Sequence, residues 1–156
     1  MKAIPTEFTR TKCACDSCRA CCKRQPGSLA DGDLDRIVQY WSKAQGVSAE
    51  VALEQIKAQL CASPGALIMD STSLVTKRVG TIVPKMRKGR CVFLDKDERC
   101  IIHEVAPFGC AYFDCHMSRV VAHPRSVWLV HTQMDRQYQA LRNELPYAQN
   151  YKPTRY

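Results

Sequence analysis

Ten cysteines in 156 residues, arranged in two groups, constrain this chain more than any other feature. Cys13, Cys15, Cys18, Cys21 and Cys22 crowd one segment near the start; Cys91, Cys100, Cys110 and Cys115 are spread over the second half, and Cys61 stands apart. The density is below that of a small secreted disulfide scaffold, yet the clustering is too strong for incidental core packing. The first ten residues carry charge and a proline where a secretory signal needs an apolar run of about 7–15 residues. No apolar run approaches the roughly 20 residues of a membrane span. The expectation is a soluble, cytoplasmic protein with no membrane partner. In that reducing setting clustered thiols read as metal ligands or redox groups rather than disulfides.

The first group reads Cys15-Asp16-Ser17-Cys18-Arg19-Ala20-Cys21-Cys22. On a helix advancing about 100° per residue, Cys15, Cys18 and Cys22 fall within about 60° of one another, with Cys21 displaced to the side. Whether the segment is a helix or a knuckle turn, the adjacent pair does not readily point at one ion. A single tetrahedral site is over-supplied, so two nearby ions or a cluster sharing ligands is expected.

The second group has its own geometry. A two-residue turn at Asp95-Lys96 would pair Leu94 with Asp97 and, in the same register, Cys91 with Cys100. Directly opposed residues have Cβ atoms about 4.5–5.5 Å apart, close enough for two thiolates to reach one ion. Cys110 and Cys115 add two thiols, and His103, three residues after Cys100, offers an imidazole. Four core thiols per group suffice for two tetrahedral sites. Cys13 is a substitute ligand, Cys61 reads as a core thiol at a helix end, and His116, His123 and His131 read as loop or surface residues.

The formal charge of +8 invites a nucleic-acid reading. Eight thiolates around two divalent ions, however, bring the net charge to about +4, because coordinated thiols are deprotonated. The basic residues Lys77, Arg78, Lys85, Arg87, Lys88 and Arg90 then read as a solvated face. No DNA-binding spacing such as Cys-x-x-Cys followed by His-x3-His is present.

Between the cysteine groups the pattern is that of a small α+β domain with a few helices and short strands or hairpins organised around the cysteine-rich metal site. Leu34, Ile37, Val38, Trp41 and Ala44 predict a helix over 33–45, with Asp31 or Asp33 as N-cap and Gly46 as C-cap. A second helix is expected from Ser48 to Cys61, closed by Ser63-Pro64-Gly65. Short β-rich runs follow at 66–69, 73–75, 79–83 and 91–94. Val127, Val130, Met134, Tyr138, Leu141 and Leu145 predict one final helix after Pro124, ending at Pro146. One domain over 1–146 and an extended tail over 147–156 are expected.

The motif at 15–22, the stretch CVFLDKDERCIIHE and the stretch APFGCAYFDC together resemble the CxxCxxCC family of zinc- or iron-chelating proteins. A related cysteine-rich region occurs in flagellin lysine N-methylases. The resemblance implies metal chelation by Cys15, Cys18, Cys21, Cys22, Cys91, Cys100, Cys110 and Cys115, with zinc and iron both open. The chain departs from the family pattern at His103, where an aromatic residue is common, and at Ala106 and Ala111, where arginines are.

The leading expectation is a metal-binding protein holding zinc or iron in a multinuclear thiolate site or as two ions. The alternative is an iron or iron–sulfur redox or protein-modifying enzyme or accessory subunit, motivated by the ligand surplus and His103. A nucleic-acid-binding zinc module comes third, and the sequence names no protein partner. There is no Gly-rich nucleotide loop and no Cys-x3-Cys-x2-Cys triad, so nothing in the sequence assigns a catalytic residue.

Overall fold

The backbone is organised around the segment that follows the CxxCxxCC motif. In the computed structural model, which describes residues 3–11, 19–69 and 76–148, the amide of Leu29 donates to the Ile82 carbonyl at 2.9 Å, tying that segment to a β-hairpin. The hairpin pairs β1 (Leu60–Met69) with β2 (Thr76–Pro84) antiparallel, Leu60 opposite Pro84 and Met69 opposite Thr76. The expected strand run at 73–75 lies outside the described residues.

Helix α1 (Ala20–Arg24) carries the end of the motif, and α2 (Asp33–Gln45) follows with the predicted boundaries. Gly46 closes α2 at φ 63°, the left-handed conformation that glycine adopts without a Cβ penalty. At the other end the N-cap is Gly32, and Asp33 is the first helical residue. Ser48 caps α3 (Ala49–Lys57), its hydroxyl accepting from the Val51 amide.

Helix α3 stops short of the expected Cys61. The backbone of Leu60 and Cys61 pairs instead with Pro84 and Val83, and both side chains remain buried. The apolar spacing of Ile56 and Leu60 is satisfied by a strand as well as by a helix, so cross-strand pairing decides. The expected terminator Ser63-Pro64-Gly65 is a bulge inside β1, where the register shifts between Ser63 and Ala66. Gly65 has φ +72° there, and a Cβ would lie 1.6 Å from the Val79 carbonyl oxygen.

The predicted final helix is two helices, α5 (Arg119–Gln133) and α6 (Arg136–Glu144). The Asp135 carboxylate accepts from the amides of Gln137 and Tyr138, starting a new helix where the periodicity predicts continuation. Helix α5 also begins before Pro124, and its buried face is Arg125, Leu129, Thr132 and Gln133. Val127 and Met134, placed on the inner face by spacing alone, are 42% and 54% exposed. Polar side chains take the inner face because they have partners: Gln133 donates to the Leu29 carbonyl at 2.9 Å and Thr132 to the Leu129 carbonyl at 2.7 Å.

After α6, Tyr147 forms a parallel bridge to Ala62, and the Ala148 amide donates to the Ala62 carbonyl at 2.7 Å. Among the described residues the helices pack on two short antiparallel strand pairs, a small α+β domain. Leu29, Ile37, Ile56, Leu60, Ile82 and Phe93 lie at the centre of the main core. Phe108 and Leu129 form a second cluster, with Phe8, Tyr112, Phe113 and Trp128 against it.

Tyr138 joins three parts of this architecture. Its buried hydroxyl accepts from the Ile82 amide at 2.8 Å and donates to the Leu29 carbonyl at 2.9 Å, linking α6, β2 and the post-motif segment. Tyr138→Phe leaves the Ile82 N–H buried without an acceptor, so a loss of about 1–3 kcal/mol is expected in urea denaturation, with an unchanged slope.

Candidate metal centre

Cys22, Cys91, Cys100 and Cys110 are positioned by three local structures. Helix α1 packs on β4 (Arg90–Cys91), and Cys22 of α1 is half-buried against the core cluster that contains Cys91. Cys91 itself is 6% exposed. It pairs with Met86 of β3 (Met86–Arg87) in a hairpin turned by Lys88 and Gly89.

Cys91 is therefore not opposite Cys100, as the two-residue turn at Asp95-Lys96 would require. The Asp95 carboxylate accepts from the amides of Asp97 and Arg99, and the Asp95 amide donates to the Arg99 carbonyl at 2.9 Å. These bonds close a longer loop, with Glu98 at φ 60°, and set Cys100 opposite Leu94. The side-chain bonds of Asp95 outweigh the tighter turn and move the register. Cys100 still lies half-buried against the core cluster that holds Cys91.

Cys110 arrives on α4 (Phe108–Ala111), seated by contacts that the sequence reading misses. The Gly27 amide donates to the Cys110 sulfur at 3.1 Å, and the Gly109 amide donates to the Ser28 carbonyl at 2.9 Å. A Cβ on Gly27 would lie 2.0 Å from the Gly109 carbonyl carbon, and one on Gly109 would lie 2.5 Å from the Ser28 nitrogen. Two glycines thus allow backbone contact between α4 and the segment just after the motif. The buried Asp33 adds a second tie, its Oδ2 accepting from the amides of Ala30 at 2.8 Å and Phe108 at 2.6 Å. The visible signal in the sequence was glycine beside cysteine at 109–110.

Electrostatics couples four of the thiols. Burial pushes Cys91 up to about 12, opposed by the Phe93 amide and reinforced by the sulfurs of Cys22 and Cys100. Burial raises Cys100 as well; the Ile102 amide and Arg10 oppose it, while Cys22 and Asp95 add to it. Cys110 is raised well above the usual thiol range by burial and by Cys91, Cys22 and Cys100, against the Gly27 amide. Among these sulfurs Cys110 accepts a backbone N–H, from Gly27, which favours thiolate. Their mutual repulsion disfavours it, and a cation would remove that conflict.

Cys21 is exposed on α1 and Cys115 is exposed between α4 and α5. Cys13, Cys15 and Cys18 lie outside the described residues. His103 opens a short 3-10 turn (His103–Val105), and its carbonyl accepts from the Arg10 guanidinium at 2.6 Å. Cys61 is a buried core thiol in β1, directed at the Val83 carbonyl. Glu98 ties the loop to α1 through Lys23 at 2.7 Å and Arg19 at 3.6 Å. The Lys23 contact holds its carboxyl below the usual range, so the tie persists at neutral pH and fails as pH falls through that lowered value.

Among the described residues no three His, Cys, Asp or Glu side chains converge closely enough to hold an ion. The chemistry of the donor set nevertheless fits one. Cys22, Cys91, Cys100 and Cys110 are soft sulfur donors, Cys110 with the Gly27 amide N–H already directed at its sulfur, which suits zinc, iron or an iron–sulfur cluster.

Residues 14–132 match the model of a family described as "CxxCxxCC: Putative zinc- or iron-chelating domain". The chain belongs to the CxxCxxCC family. The matched region of this CxxCxxCC chain holds every cysteine except Cys13, and ends within α5. No curated protein and no solved structure matches the chain. Among the described residues no helix is long and apolar enough to cross a membrane.

Two outcomes are expected from this geometry. Gly27→Ala forces backbone apart at the α4 contact and lowers stability by about 1–3 kcal/mol in chemical denaturation. In metal-free protein at pH 8, iodoacetamide followed by mass mapping should modify Cys115 at least about tenfold faster than Cys91 or Cys110, since the neutral buried thiol is a poor nucleophile. Equal rates would show that the buried thiols are not held protonated.

Proposed function

We propose that this protein chelates zinc or iron through thiolates drawn from both cysteine groups, in a multinuclear site or as two neighbouring ions. The observation that carries the reading is that Cys22, from the N-terminal motif, packs on the same core cluster as Cys91 and Cys100 of the second half, with the Cys110 sulfur in their field. Cys15, Cys18, Cys21 and Cys115 complete the proposed ligand set, with Cys13 and His103 as alternates. A multinuclear site accounts for the sulfur surplus, since four thiolates saturate one tetrahedral zinc.

Bound metal would join α1 to the hairpin bearing Cys91 and to α4, so affinity and folding free energy are partly the same quantity. The working compartment in this reading is the cytoplasm, where the thiols stay reduced. The domain is taken as 1–146, with 147–156 as an extended tail.

An iron–sulfur redox or protein-modifying centre is the second reading, favoured by the Gly27 amide N–H directed at the Cys110 sulfur. Hydrogen bonds of that kind help set cluster potentials.

The test is elemental analysis with visible spectra on anaerobically purified wild type, Cys18→Ser and Cys100→Ser. About two zinc ions, or iron with a visible chromophore, are expected in wild type, with at least half the metal lost in each variant. Stripping the metal with an external chelator should lower the melting temperature by about 10 °C or more. Metal content and melting behaviour unchanged in both variants would refute the proposal. Colourless protein holding only zinc would remove the iron–sulfur reading.

A further inference from the structure

The basic stretch of the sequence acquires a definite place in the fold. In the β3–β4 hairpin Arg87 lies directly opposite Arg90, the residue adjoining Cys91. Like charges opposed on a ribbon are destabilising. The turn between them adds Lys88 at φ 51°, a conformation uncommon outside glycine. Helix α1 packs on β4 and brings Arg19 and Lys23 to the same side. The carboxylate answering this charge is Glu98, which meets Lys23 at 2.7 Å and Arg19 at 3.6 Å and also feels Arg90. One acid thus faces three cations. Arg87 and Lys88 are exposed and, among the described residues, their side chains have no ion-paired or hydrogen-bonded partner.

We infer that this collar receives the metal as an anionic polycarboxylate chelate, docked against Arg87, Lys88 and Arg90 beside Cys91. The inference rests on the metal-chelating function proposed above. A bare dication approaching the thiols meets repulsion from the collar, whereas a chelate of net negative charge is drawn to it. Steering of this kind changes association rates by about 10–10³-fold. A small anion matches this span, since Arg87, Lys88 and Arg90 all lie within one short hairpin.

Transfer is then ligand exchange without redox chemistry. Metal–carboxylate bonds break and metal–sulfur bonds form, each thiol gives its proton to solvent, and the free polycarboxylate leaves.

The experiment uses full-length, reduced, metal-free protein and cobalt(II) as a coloured probe, supplied at low ionic strength either as the aqua ion or as its citrate complex. Loading is followed by stopped-flow absorbance in wild type, Arg87→Gln/Lys88→Gln and Arg87→Glu/Lys88→Glu, with circular dichroism to compare their folding. From citrate, the expected rates fall in the order wild type, Gln variant, Glu variant, by about tenfold overall. From the aqua ion no slowing is expected, and the citrate difference should close as salt shortens the screening length below its value of about 10 Å at 0.1 M. Equal slowing with both donors, or none with either, would overturn the inference while leaving metal chelation intact. Wild type that takes up no metal from either donor would overturn the chelating function itself.

Discussion

Sulfur atoms gathered on one side of a low-dielectric core meet opposed demands. As thiolates they repel one another and lose hydration; as thiols they leave directed backbone N–H groups facing a poor acceptor. Cys91, Cys100 and Cys110 are in that position, each raised by burial and by neighbouring sulfurs, with the Gly27 amide turned toward Cys110. Much of the surrounding structure holds these sulfurs in place. Helix α1 brings Cys22 onto β4, the Asp95 loop sets Cys100 opposite Leu94, and the Gly27–Gly109 contact seats α4 and Cys110.

The scaffold behind the sulfurs is unusually polar at its connections. The short segment at residues 27–30 accepts bonds from Gln133 and Tyr138 and donates bonds to Ile82, Asp33 and the Cys110 sulfur. Asp33 keeps a buried carboxyl, raised by desolvation, because the amides of Ala30 and Phe108 and the Arg36 guanidinium all address it. Buried polar groups joined in this way favour one arrangement of segments, since others break these bonds. The motif, the second cysteine group and the C-terminal helices are thereby held in register around a chain segment with little secondary structure of its own.

Membership of the CxxCxxCC family and the α+β class were both legible in the residues, the first from cysteine spacing and the second from periodicity. Helix α2 was readable to the residue because its apolar stripe and its closing Gly46 agree. The helix expected over 48–61 was overrun, since Ile56 and Leu60 suit a strand start as well as a helix end. The helix expected after Pro124 was one helix too few, because the capping bonds of Asp135 do not register in hydrophobic spacing. Cys91 and Cys100 were assigned to one register by turn length alone, and the Asp95 side chain sets another.

By itself, the sequence determined which atoms are available: soft sulfur donors in two groups, too many for one tetrahedral ion, with the adjacent Cys21 and Cys22 unable to turn readily toward one point. That follows from residue type and spacing, which are local. Only the tertiary structure decided which sulfurs share a field. Cys22 meets Cys91, Cys100 and Cys110, while Cys115 stays exposed and Cys61 stays in the core. The reason is that these groupings depend on contacts between segments far apart in the chain. The two glycines that let backbones touch and the buried carboxylate that ties α2 to α4 have no periodic signature, and their role exists only once the chain has folded.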